Sequence, residues 1–142
     1  MPHTPSNENP SQDCGLRGRA LLAKIVEIIR KQPENWNQDL WAYAPGDFQS
    51  ERFGSPATEV PPACDTTLCV AGWAAHLTGA KLDWVYTRNG LRASTVNNGD
   101  QMISKYAKHV LELSSDEADH LFYGVDELDE IDAMARGTWV QQ

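Results

Sequence analysis

No stretch of this 142-residue chain is apolar over the roughly 18–20 residues that a bilayer-spanning helix needs. Basic residues are also scarce: 12 Lys and Arg stand against 20 Asp and Glu, for a net charge of −8. Neutralising phosphates takes Lys and Arg, so this balance argues against a nucleic-acid binder and against docking on anionic membranes. Three cysteines, Cys14, Cys64 and Cys69, are too few and odd in number for a secreted disulfide scaffold. The opening residues, Met1 to Pro10, contain no apolar stretch and do not resemble a signal peptide, so a cytoplasmic protein is expected. A Gly-rich phosphate loop, a serine nucleophile elbow and a zinc-protease His pair are all missing, and with them the usual sequence signs of a cofactor or a metal.

The sequence does have the material for a core. It is 41% hydrophobic with five tryptophans, and its length suits one domain. Residues 1–13, with three prolines in polar company, read as a disordered tail ahead of a single domain over 14–142. Residues 16–32 read as an amphipathic helix, with Leu21, Leu22, Ile25, Val26, Ile28 and Ile29 on one side and Pro33 ending it. Residues 34–63 read as a short helical turn around Trp36, Leu40 and Trp41, followed by a long Pro- and Gly-punctuated loop. Trp84 to Thr87 and Leu91 to Val96, flanking Arg88-Asn89-Gly90, read as one β-hairpin and the only strands, because Asn-Gly tolerates the positive φ of a tight turn. A third helix is expected over 100–113, capped by Asp100, with Met102, Ile103, Tyr106, Ala107, Val110 and Leu111 inward. Ser114 to Glu117 has the form of a capping box that starts a short helix carrying Ala118, Leu121 and Phe122. A last helix spans roughly 126–136. The fold class expected is mainly α: a small helical domain around a buried central helix, with one β-hairpin.

That central helix is expected over 66–79, capped by Asp65 or Thr66, and its interior from Leu68 to Leu77 is apolar nearly all round. Leu68, Ala71, Gly72 and Ala75 share a small-residue side where another backbone can come close. Cys64 and Cys69 at its start invite a redox or nucleophilic reading. A helix dipole contributes about 0.3–1 kcal/mol, and one pKa unit costs about 1.36 kcal/mol, so the dipole alone leaves a thiol protonated. No Lys or Arg lies between Arg52 and Lys81 to supply more. His76 stands about 10.5 Å along the helix from Cys69, out of hydrogen-bonding reach and too far to share a zinc. A buried structural thiol at Cys69 is the plainer reading, with Cys64 and Cys69 kept as redox candidates and no catalytic residue named.

Two further features bear on function. Tyr43, Phe48 and Phe53 lie in the long loop, either pinning it to the body or serving as exposed anchors for a partner. Charge is segregated: nine acids and no Lys or Arg fall between Glu112 and Asp132, while Arg17 to Lys31 carries five bases and one acid. Solvated helix faces account for this as simply as a docking patch does.

The string from Cys64 to Ala74, Cys-Asp-Thr-Thr-Leu-Cys-Val-Ala-Gly-Trp-Ala, resembles a C-G-T-x-x-C-x-A-G-W-A pattern found in small uncharacterised proteins of actinobacteria and their phages. Asp65 stands where that pattern has Gly. The likeness extends over roughly residues 20–125, through Pro33 to Gln38 and Trp41 upstream and Leu111 to Phe122 downstream. The resemblance implies a phage or prophage setting and carries no activity with it. The expectation is a non-enzymatic accessory protein that binds a host or phage protein. The alternatives are a thiol-dependent enzyme or redox module using Cys69, and an acidic mimic of nucleic acid that binds a basic DNA-handling protein.

Overall fold

The structure, a computed structural model, describes residues 13–38, 41–58, 61, 66–124 and 127–137. The expected N-terminal tail, apart from Asp13, lies outside the described residues, as do Leu40, Cys64 and the cap candidate Asp65.

Helix α1 (Gly18–Lys31) forms where its apolar period predicts. Leu21, Leu22, Ile25, Val26 and Ile29 are buried, while Ile28 sits half-buried at the edge of the stripe. Pro33 ends it and opens a single 3-10 turn over Pro33–Asn35.

The next segment overturns the expected fold class. Residues 42–45 form strand β1 (Ala42–Pro45), and Thr67–Leu68 forms strand β2. With β3 (Val85–Thr87) and β4 (Gly90–Arg92) they build a four-stranded antiparallel sheet in the order β2-β1-β4-β3. A second, two-stranded sheet pairs β5 (Thr95–Val96) with β6 (Gln101–Met102). The protein is therefore mixed α/β, not a mainly helical domain with one hairpin. A hairpin forms at the expected place, with Thr87 opposite Gly90, but its second strand runs Gly90–Arg92 rather than Leu91 to Val96, Thr95 and Val96 join the other sheet, and the hairpin is one edge of a larger sheet.

The physical reason lies in β1. Ala-Tyr-Ala-Pro has weak β propensity and ends in a residue that cannot donate to the ladder. It is a strand because it is paired on both sides, Ala42 with Leu68 and Ala44 with Leu91. Gly90 makes the second pairing feasible. Its φ is +151°, and a Cβ there would lie 2.1 Å from the Ala44 carbonyl oxygen.

The central helix α2 spans Val70–Leu77, four residues later than expected, because Thr67 and Leu68 are strand. Val70, Ala71, Ala74 and Ala75 are fully buried. It ends in a Schellman arrangement: Gly79 has φ +86°, and the Ala80 amide donates to the Ala75 carbonyl at 3.0 Å. Buried Thr78 then ties α2 to α3 (Ile103–Val110). Its hydroxyl bonds the Ala74 carbonyl at 2.7 Å and the Tyr106 hydroxyl at 2.8 Å.

Helix α3 is also shorter than expected. Asp100 is not its cap, since Gln101 and Met102 are strand β6, and Met102 is exposed rather than inward. The capping box forms as read: the Glu117 amide donates to Ser114 Oγ at 3.1 Å, and the Ser114 amide donates to Glu117 Oε1 at 2.8 Å. It starts α4 (Ser115–Asp119), which widens into a π turn over His120–Gly124. Helix α5 (Leu128–Arg136) packs along α1.

Candidate binding site

The first question is whether the cysteine turn can do chemistry. Cys69 is the N-cap of α2, and its sulfur accepts the Gly72 amide at 3.5 Å. The thiol points toward the Trp41 carbonyl at 3.8 Å, and the residue is 1% exposed. Burial pushes the thiol up to about 11, outweighing the stabilising backbone amides. A thiol so placed is neutral at physiological pH and out of reach of a substrate. Cys69 and Cys14 are free thiols, and the pairing of Cys69 with Cys64 concerns a residue outside the described set. His76 turns its ring edge to face Trp73 at 5.9 Å, and its burial lowers its pKa, so it is an uncharged packing group.

Packing explains the geometry of this turn. Gly72 faces the Trp41 carbonyl so closely that a Cβ would stand 2.2 Å from the oxygen. The small-residue side of α2 is thus where the Trp41 backbone crosses, as the run Ala71-Gly72 suggests.

The loop aromatics fall in three environments. Tyr43 is on β1, its hydroxyl donating to the Asn89 carbonyl at 2.8 Å and its ring lying under the Arg92 guanidinium at 5.5 Å. Phe48 packs on Tyr86 with ring centroids 4.8 Å apart, and Arg52 covers the Tyr86 ring at 5.2 Å. Phe53 is 37% exposed. Tyr43 and Phe48 are therefore already engaged within the chain, and Phe53 presents the freest ring of the three.

A different aromatic group stands open. Trp41 meets Phe122 edge-on at 6.1 Å and Tyr123 edge-on at 5.7 Å, with interplanar angles of 79° and 88°. Phe122 is buried, Trp41 half-buried, and Tyr123 is 69% exposed. Together with Gln38 they line a cleft of about 250 Å³. The π turn is what sets Phe122 and Tyr123 on this side, and such single-turn widenings recur at functional sites. Gln38 fixes the floor. Its Oε1 accepts the Trp36 indole N–H at 3.0 Å and the Val70 amide at 3.2 Å, and its Nε2 donates to the Leu121 carbonyl at 2.7 Å.

Sequence reasoning missed this site. The sequence places Trp41 in a helical turn and Phe122 on the short helix after the capping box, and does not single out Tyr123; Phe122 is indeed buried, but in the π turn. The available signal is Leu121-Phe122-Tyr123, three large residues in a row on a short helix that packs by one face.

The segregated charges meet one another in part. Arg30 of α1 lies 3.6 Å from both Asp129 and Asp132 of α5, and Arg136 reaches Asp132 at 2.8 Å. His120 pairs with Glu130. Asp116 and Asp119, next to the π turn, make no ion pair among the described residues. No group of three His, Cys, Asp or Glu among the described residues could hold a metal ion, and no described helix is long and apolar enough to cross a membrane.

Comparison with protein-family models, with curated proteins and with solved structures returned no match.

Proposed function

We propose that this chain is a non-enzymatic accessory protein of a phage or prophage, acting in the cytoplasm of an actinobacterial host by binding a host or phage protein. The observation that carries the binding role is the Trp41, Phe122 and Tyr123 cluster, in which Tyr123 is 69% exposed and Trp41 half-buried over a buried Phe122. Exposed aromatics with polar surroundings mark interaction sites, and Trp and Tyr dominate interface energetics. The phage setting rests on the resemblance of the Cys64 to Ala74 string.

The thiol-enzyme alternative finds less support, because the Cys69 sulfur is buried and protonated. The nucleic-acid mimic finds less as well, since Arg30 and Arg136 interrupt the acidic face of α5.

Affinity capture from an actinobacterial lysate, followed by titration of the purified partner, tests the reading. Wild type is expected to bind one protein saturably, Tyr123→Ser to lose it, and Cys69→Ala to keep it. A turnover activity that disappears in Cys69→Ala while binding is unaffected by Tyr123→Ser overturns it.

A further inference from the structure

We infer that the Trp41, Phe122 and Tyr123 cleft receives a cationic side chain, an arginine or lysine carried by a basic segment of the partner protein. The inference rests on the protein-binding reading above and names the chemistry of what is bound.

Three observations converge on a cation. The first is ring geometry. Trp41 stands at 79° and 88° to its two neighbours, so the walls of the cleft are set at right angles rather than stacked. Aromatic faces arranged around a small space attract ammonium and guanidinium groups through the ring quadrupole, with Trp the strongest contributor. At about 250 Å³ the cleft is smaller than the pockets that usually take small-molecule ligands, and suits one side chain.

The second is how this chain treats two of its other rings, half-buried Tyr43 and buried Tyr86. Tyr43 is covered by Arg92 and Tyr86 by Arg52, at 5.5 and 5.2 Å. No Arg or Lys covers Trp41, Phe122 or Tyr123 among the described residues. The third is charge. Asp116 and Asp119, in the helix that leads into the π turn, have no ion-pair partner among the described residues. Asp129, Glu130 and Asp132 of the same acidic stretch are paired with Arg30, His120 and Arg136, so the charge left uncompensated here is that of Asp116 and Asp119. A field of this sign raises the local concentration of a basic segment and disfavours an acidic one.

The test uses the full chain, ¹⁵N-labelled, and three synthetic peptides of one length. One has a single arginine in a Gly-Ser frame, one has citrulline in place of that arginine, and one has glutamate there. The arginine peptide is expected to shift the Trp41 indole and Tyr123 amide signals saturably. Citrulline and Tyr123→Ala should each weaken binding about ten-fold, Tyr123→Phe should preserve it, and raising salt should weaken it. Equal binding of the arginine and citrulline peptides, or stronger binding of the glutamate peptide, overturns the inference. So does no shift from the arginine peptide at millimolar concentration. If a captured partner is lost with Tyr123→Ser yet shows no dependence on its basic residues, the cation is wrong while the protein-binding reading stands.

Discussion

The side-chain amide of Gln38 donates to the backbone carbonyl of Leu121 at 2.7 Å, across 83 positions of sequence. This one contact holds the π turn against the segment that carries Trp41. Because the same side chain also accepts from Trp36 and from the first amide of α2, it couples the open aromatic cleft to the start of the central helix.

Replacing Gln38 by Leu therefore removes three hydrogen bonds and leaves the Val70 amide and the Leu121 carbonyl without their partner. The expected cost is about 1–3 kcal/mol of global stability, with faster amide exchange through 120–124. Urea unfolding and hydrogen exchange measure the two. Unchanged exchange in the π turn alongside a stability loss below about 0.5 kcal/mol refutes the coupling.

Gly72→Ala places a methyl 2.2 Å from the Trp41 carbonyl oxygen, so either α2 or the Trp41 backbone must move. Overpacking of this kind costs about 1–3 kcal/mol, despite the better helix propensity of alanine. A variant as stable as wild type means that the two segments are not in contact.

Ser114→Ala removes the oxygen that accepts the Glu117 amide in the capping box. The expected loss is about 1 kcal/mol, read as a lower urea midpoint with an unchanged slope. A loss within experimental error contradicts a formed cap.

Cys69 gives a pH signature. Its thiol is raised from 9.0 to about 11 in the folded protein by burial, so the neutral form is the one the fold favours. Its contribution is complete below pH 9 and disappears as pH rises through about 11. Relative to Cys69→Ala, wild type should lose about 2–3 kcal/mol of stability advantage across that window and none between pH 6 and 8. At pH 7 to 8, peptide mapping after iodoacetamide should show Cys14 modified and Cys69 untouched in the native protein. Alkylation of Cys69 at the rate of Cys14 contradicts its burial.

What the sequence made legible follows from where structure is local. The apolar stripe of α1, the Ser114 to Glu117 box and the tight turn at Asn89 each depend on residues within a few positions of one another, and each formed where the pattern pointed. The central helix is visible as an apolar run, but it starts four residues late, with Thr67 and Leu68 in β2 and Cys69 as its N-cap. The start was decided by the distant pairing of Leu68 with Ala42. Strand β1 was hidden for the same reason: nothing in Ala-Tyr-Ala-Pro announces a strand until Leu68 and Leu91 lie on either side of it. Met102 was misread because helical spacing includes it, while pairing with Thr95 turns it outward. The cleft shares this character. Trp41 and Tyr123 are far apart in sequence, and the Gln38 contact that sets them together has no local signature.

Site-specific photo-crosslinking in an actinobacterial host tests the central claim most directly, with a benzoylphenylalanine introduced at position 123 in one variant and at position 53 in another. The binding account predicts an adduct from position 123 to a single protein, mapping beside an arginine or lysine in a basic segment of it. Adducts from position 53 with none from position 123, or none from either, contradict it.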